Sequence, residues 1–144
     1  MKSVIIFGLG KTREQCPFDE ETWGVNMSYS TIVQMKGRLD KLFIGHNPYQ
    51  PYPYLLGPKA EIRIMRVSDW GWDYIAGLAE KIDVITLHRI KGIKSKLYPL
   101  RRISKKFHTE YFADTICYML AYAVDKKYDR IRIYGVDMKD KLDN

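Results

Sequence analysis

The chain has 144 residues, of which 46% are hydrophobic and 28% charged. That is ordinary globular composition for one domain around one core, and it excludes disordered and fibrous classes. The net charge of +7 is concentrated: from His88 to His108 the chain carries Arg89, Lys91, Lys94, Lys96, Arg101, Arg102, Lys105 and Lys106 with no Asp or Glu. Such a run attracts phosphate, whether in a nucleotide, a nucleic acid or an anionic surface, or else it is a solvated loop.

The opening run, residues 3–7 (SVIIF), is too short for a signal peptide and lacks a small-residue cleavage site, so it reads as a buried first strand. It ends at Gly8-Leu9-Gly10. Residues 11–21 are polar. Residues 22–26 (TWGVN) predict a second strand, 28–38 a short helix or a loop, and 39–45 (LDKLFIG) a third strand followed by His46-Asn47-Pro48. The Pro/Tyr-rich stretch 48–54 cannot be regular structure, because proline fixes φ and removes a donor. Residues 62–67 (IRIMRV) alternate as a strand, 70–81 predict a helix and 84–87 a short strand. The basic segment, broken by Gly92 and Pro99, reads as a loop. The clearest helix is 110–125, with Thr109 as N-cap and nearly every position from 111 to 124 apolar, a pattern expected of a helix buried on most sides. A last strand, 130–134 (RIRIY), runs into Gly135-Val136-Asp137-Met138. There is no internal repeat and no linker. Strands alternating with helices imply one α/β domain over 1–144 with a mainly parallel sheet and no membrane span.

Cys16 and Cys117 stand without a CxxC pair or a spaced histidine. They read as reduced thiols of a cytoplasmic protein and argue against zinc.

Candidate ligand positions follow strand ends, where open α/β sheets hold their ligands. Gly8, Gly10, Lys11 and Thr12 form a glycine turn whose amides can approach an anion, with a charge and a hydroxyl added. The loop lacks the third glycine of a dinucleotide fingerprint and the spacing of a Walker A loop, and a plain tight turn is the alternative reading. Asn26 and Asn47 each offer a donor and an acceptor suited to a ribose or base edge, or they cap turns. Asp137 can accept from a hydroxyl or stabilise its own turn. Asp114 and Thr115 are polar in an apolar helix and need partners, of which a ligand phosphate or ribose is one. Tyr49, Tyr52 and Tyr54 can stack on a base or fold back on the core. His46 is the best-placed general base, but no nucleophile and no cofactor can be assigned.

The series strand–GLGKT, WGVN, LFIGHNP, YFADTICYMLAYA and IRIYGVDM resembles the nucleotide-binding half of the Campylobacter-type bacterial sialyltransferases. It also resembles a wider set of Rossmann-like proteins, many phage-encoded, and more distantly the archaeal hydroxymethylpterin diphosphokinases. The resemblance touches both ends of the chain and matches poorly over 48–105. It implies a Rossmann-like three-layer domain in which Gly8–Thr12, Asn26, Asn47 and the helix start around Thr115 contact the nucleotide of a sugar donor. Leu9 and Lys11 depart from that family, which has Asn or Pro there. Its catalytic histidine and phosphate-binding tyrosines lie beyond the equivalent of GVDM, so the resemblance implies nucleotide binding rather than sialyl transfer. The expectation is a nucleotide- or nucleotide-sugar-binding domain, with a minimal glycosyltransferase-like protein as its enzymatic form. The alternatives are a non-enzymatic, phage-type protein that sequesters a nucleotide, or a nucleic-acid binder using 89–106. The oligomeric state is left open.

Overall fold

The computed structural model describes residues 1–46, 71–109 and 112–137. Among these residues six strands form one sheet: β1 (Ser3–Phe7), β2 (Thr22–Val25), β3 (Lys41–Ile44), β4 (Asp83–Thr86), β5 (Lys96–Leu97) and β6 (Arg130–Tyr134). Their order across the sheet is β5-β4-β3-β2-β1-β6, and every neighbouring pair is parallel. The chain therefore steps outward from β1 to β5 and then returns to lie on the other side of β1. Right-handed crossovers place the outward connections on one face of the sheet and the return connection on the other.

The side chains follow that division. On the outward face lie a 3₁₀ turn at Lys11–Gln15, α1 (Ser28–Gln34) and α2 (Trp72–Ala79). They cover Ile5 and Phe7 of β1, Leu42 and Ile44 of β3 and Val84 of β4. On the return face lie α3 (Leu100–Lys106) and α4 (Thr115–Asp125), over Val4, Ile6, Trp23, Val25, Phe43 and Ile85. This two-sided burial explains why β1 reads as an uninterrupted apolar run, since both of its faces are covered. The result is a Rossmann-like three-layer α/β domain. No helix among the described residues is long and apolar enough to cross a membrane.

The structure departs from the sequence expectations at two elements. The late helix starts at Thr115, and its N-cap is Asp114 rather than Thr109. Asp114 is extended, and its carboxylate accepts from the Cys117 amide at 3.0 Å, which satisfies one of the donors a helix start leaves open. Thr109 belongs instead to the exit of α3, donating its amide to the Ser104 carbonyl. Nor is α4 buried on most sides. Only Met119, Ala123 and Asp125 are buried, and Val124 is 49% exposed. A single helix layer leaves its outer face to solvent however apolar that face is.

The basic segment is not a loop throughout. It contributes β5 and α3, because Tyr98 and Ile103 are buried and fasten it to the sheet. Arg102 and Lys106, one turn apart, converge on Asp125 of α4 at 2.7 and 3.2 Å. Burial alone would raise the Asp125 carboxyl, but the hydrogen bonds and charges of Arg102 and Lys106 outweigh it and hold the group below its ordinary range. At the other side of the sheet Lys41 and Lys96 flank Asp83 at 3.1 and 3.0 Å. The strand expected over 62–67, Asn47 and the tyrosines at 49, 52 and 54 lie outside the described residues.

Candidate functional site

The carboxyl ends of the strands carry two separate groups of residues. The first lies where the strand order reverses, between β1 and β6. Here the loop Gly8–Thr12 packs directly on Gly135–Asp137. The Gly8 amide donates to the Tyr134 carbonyl at 2.8 Å and the Gly10 amide to the Gly135 carbonyl at 2.6 Å. A Cβ on Gly8 would stand 2.5 Å from the Gly135 oxygen, so glycine is required by the approach of the two backbones. The Thr12 amide donates to Asp137 at 2.7 Å, the Thr12 hydroxyl also donates to Asp137, and the Gly135 amide donates to that hydroxyl at 2.9 Å. The Thr12 hydroxyl, then the Thr12 amide, then the amide and charge of Lys11 hold the Asp137 carboxyl below its ordinary range.

The glycine amides are therefore taken up by carbonyls of the β6 loop, and the amides of Lys11 and Thr12 by the protein's own carboxylate. Gly8, Gly10, Thr12 and Asp137 are brought together, but as a clasp closing the β1–β6 crevice. The Lys11 side chain lies at the exposed rim of this clasp.

The second group lies between β2, β3 and α4. Asn26 ends β2 in the left-handed region, with φ 47°, a conformation asparagine tolerates better than most residues. Its amide continues the ladder to the Phe43 carbonyl at 2.7 Å. Its side-chain oxygen accepts from the Gly45 amide at 3.1 Å, and its side-chain nitrogen reaches the Thr115 hydroxyl at 3.5 Å. Gly45 has no room for a Cβ, which would overlap the Thr115 side chain. One carboxamide thus ties the ends of β2 and β3 to the first residue of α4, where the helix dipole is positive. The turn into α1 is equally tight. The Ser28 hydroxyl accepts from the Val25 amide at 2.7 Å, and a Cβ on Gly24 would lie 2.5 Å from that hydroxyl oxygen.

Sequence reasoning singled out Asn26 and Thr115 but missed Gly45 and Ser28. Their signal was present in small residues on either side of a strand-end asparagine, but the contact of Gly45 is with α4, far along the chain.

His46 and His88 follow β3 and β4. Ile44 is in register with Thr86, so the two imidazoles leave the sheet side by side. Burial, and then the charge of His88, hold His46 below its ordinary value. A lowered histidine binds fewer protons folded than unfolded, so its contribution is complete above the unfolded value of about 6.5 and is lost as pH falls below it. The melting temperature is accordingly expected to fall between pH 7.5 and 5.5, and His46→Asn to flatten that slope. A slope unchanged in the variant would assign it to other groups.

A concavity of about 640 Å³ lies at the opposite edge, by Glu80, Lys81, Asp83, Lys94 and Lys96. Its central carboxylate, Asp83, is already paired with Lys41 and Lys96. The carboxyl edge holds a crevice of only about 10 Å³ between Gly45, Leu87, Tyr98, Thr115 and Tyr118. Among the described residues no group of three or more His, Cys, Asp or Glu is placed to hold a metal ion. Both cysteines are free thiols.

Fold and site together define a mainly parallel, Rossmann-like α/β domain with its polar residues gathered at the carboxyl edge. Comparison with family models, with curated proteins and with solved structures finds no match to the chain.

Proposed function

We propose that the chain binds a nucleotide or nucleotide-sugar at the carboxyl edge of the sheet, around Asn26, Gly45 and Thr115. The observation that carries this reading is the convergence of those three residues on the start of α4. A ligand phosphate beside that start meets the positive end of the helix dipole next to the Asp114 carboxylate that caps the Cys117 amide, and the second side-chain hydrogen of Asn26 can reach a ribose or phosphate oxygen. The position is the one where open parallel sheets bind ligands. The resemblance of WGVN and the Thr115 helix to the nucleotide-binding half of the sialyltransferases supports the same place. Asn47, two residues beyond Gly45, belongs to the proposed site on that resemblance. In this reading Lys11 flanks the ligand from the rim, and Gly8, Gly10, Thr12 and Asp137 brace the neighbouring crevice.

The function is nucleotide recognition, with group transfer from a nucleotide-sugar as the enzymatic form and sequestration as the non-enzymatic one. A second reading, nucleic-acid binding, is favoured by one observation. Among the described residues Arg89, Lys94, Arg101 and Lys105 have no carboxylate partner.

One screen decides between them. Melting temperature is followed with CMP, UDP, GDP, ADP and their sugars, with and without Mg²⁺, and with a DNA duplex at two salt concentrations. The expected result is stabilisation by one nucleotide family, about 2.7 kcal/mol at a hundredfold excess over Kd. No shift with any nucleotide, together with salt-sensitive duplex binding, would replace this reading with the second.

A further inference from the structure

Two aromatic side chains stack on each other on the outward face of the sheet. Tyr29 is in the first turn of α1, three residues after Asn26, and Tyr74 is in the first turn of α2. Their rings stack, with centroids 5.1 Å apart and planes 19° from parallel. This differs from the central aromatic cluster, where Trp23 meets Tyr122 and Tyr128 edge-on. The inner ring is fixed. Tyr29 is 8% exposed and packs in the cluster that contains Ile44, the residue immediately before Gly45. Its hydroxyl oxygen lies 2.6 Å from where a Cβ on Gly71 would stand, so the glycine opening α2, at φ 64°, makes room for it. The outer ring is open: Tyr74 is 49% exposed.

A buried ring thus holds an exposed ring flat against it, in the first turns of α1 and α2. A free tyrosine on a helix surface samples several rotamers, whereas this one is oriented before any ligand arrives, which lowers the entropic cost of stacking. The dipole of α4 and the Asn26 carboxamide lie on the return side of the same edge. A ligand with an anionic end and a flat apolar end can span the edge, with phosphate at Thr115 and a ring system over Tyr74. Every nucleobase presents such a π-face, and stacking on an aromatic side chain tolerates any base.

We infer that Tyr74, backed by Tyr29, is the stacking platform for the base of the bound nucleotide. This rests on the proposed binding of a nucleotide at Asn26, Gly45 and Thr115. It adds that the platform selects for an aromatic base without selecting strongly among bases. Tyr74 is a binding residue and Tyr29 a positioning residue.

The test is calorimetric titration of the full chain with CMP, UMP, AMP and GMP, and with ribose 5-phosphate as the baseless probe. The expected result is that the best nucleotide binds about 10- to 100-fold more tightly than ribose 5-phosphate, the range that one base–aromatic stack supplies. Tyr74→Ala should remove that advantage and leave ribose 5-phosphate affinity unchanged, while Tyr74→Phe retains it. Tyr74 is exposed, so its truncation spares the core, and a melting curve checks this directly. Nucleotides and ribose 5-phosphate binding equally in the native chain, or Tyr74→Ala binding nucleotide as tightly as the native chain, would overturn the platform while nucleotide binding at Asn26 stands. Binding of none of the five ligands would overturn the platform and the site together.

Discussion

Gly135→Ala is expected to destabilise the fold by about 3 kcal/mol or more, a fall in melting temperature on the order of 10 °C. Gly135 sits at φ 73°, which costs a non-glycine residue roughly 1–2 kcal/mol. In addition, its Cβ would overlap the Gly8 carbonyl, so the clasp between the β1 and β6 loops must open. Two other glycines separate these contributions. Gly92, at φ 85° with nothing within 4 Å of a built Cβ, carries the backbone strain alone, and Gly92→Ala is expected to cost about 1–2 kcal/mol. Gly77 lies within α2, also with nothing within 4 Å, and Gly77→Ala is expected to stabilise by about 0.5–1 kcal/mol through helix propensity. Denaturant unfolding of the three variants measures the series. Equal losses at Gly135 and Gly92 would show that the close approach at Gly8 is not part of the stable fold.

The second large effect concerns Asn26, where two substitutions separate fold from ligand. Asn26→Ala removes the partner of the Gly45 amide and places a β-carbon residue without polar compensation at φ 47°. The expected cost is about 2 kcal/mol of stability together with the loss of nucleotide binding. Asn26→Asp keeps an acceptor for Gly45 and a residue tolerant of this φ. It replaces the donor facing Thr115 with negative charge at the proposed phosphate position. It should fold with a melting temperature near that of the native chain and bind nucleotide at least about 100-fold more weakly, given about 1.4 kcal/mol per tenfold and the charge repulsion added to the lost hydrogen bond. Native affinity in Asn26→Asp would remove Asn26 from the site.

The two groups at the carboxyl edge divide the work differently from the glycine-loop reading. Glycine-rich turns after a first strand suggest a phosphate cradle, but here the glycine amides meet carbonyls and only the Lys11 and Thr12 amides meet an anion. That anion is Asp137, already engaged through Thr12. The weight of the proposed site therefore moves one strand outward, to the end of β2 and β3, where the start of α4 faces Asn26.

Much of the fold was legible in the residues because burial on both faces leaves a local trace. The runs at 3–7 and 39–45 and the segment 130–134 mark β1, β3 and β6, while 28–38 reads equally as a short helix or a loop. The sequence alone thus determined an α/β domain with a mainly parallel sheet and placed Asn26 and Asp137 at element ends. Three features needed the tertiary structure. The start of α4 was set by the extended backbone of Asp114 and its bond to Cys117, in competition with an apolar pattern that extends further upstream. The basic run became β5 and α3 because Tyr98, Ile103 and the Asp125 ion pairs hold it, and two of those anchors are apolar residues hidden among charges. The occupation of the glycine loop depended on Thr12 meeting Asp137 across a separation of 125 residues. Local pattern reports which side chains are buried. It carries no information on which distant backbone or carboxylate fills a turn, because that partner is chosen by the strand order, which places β6 beside β1.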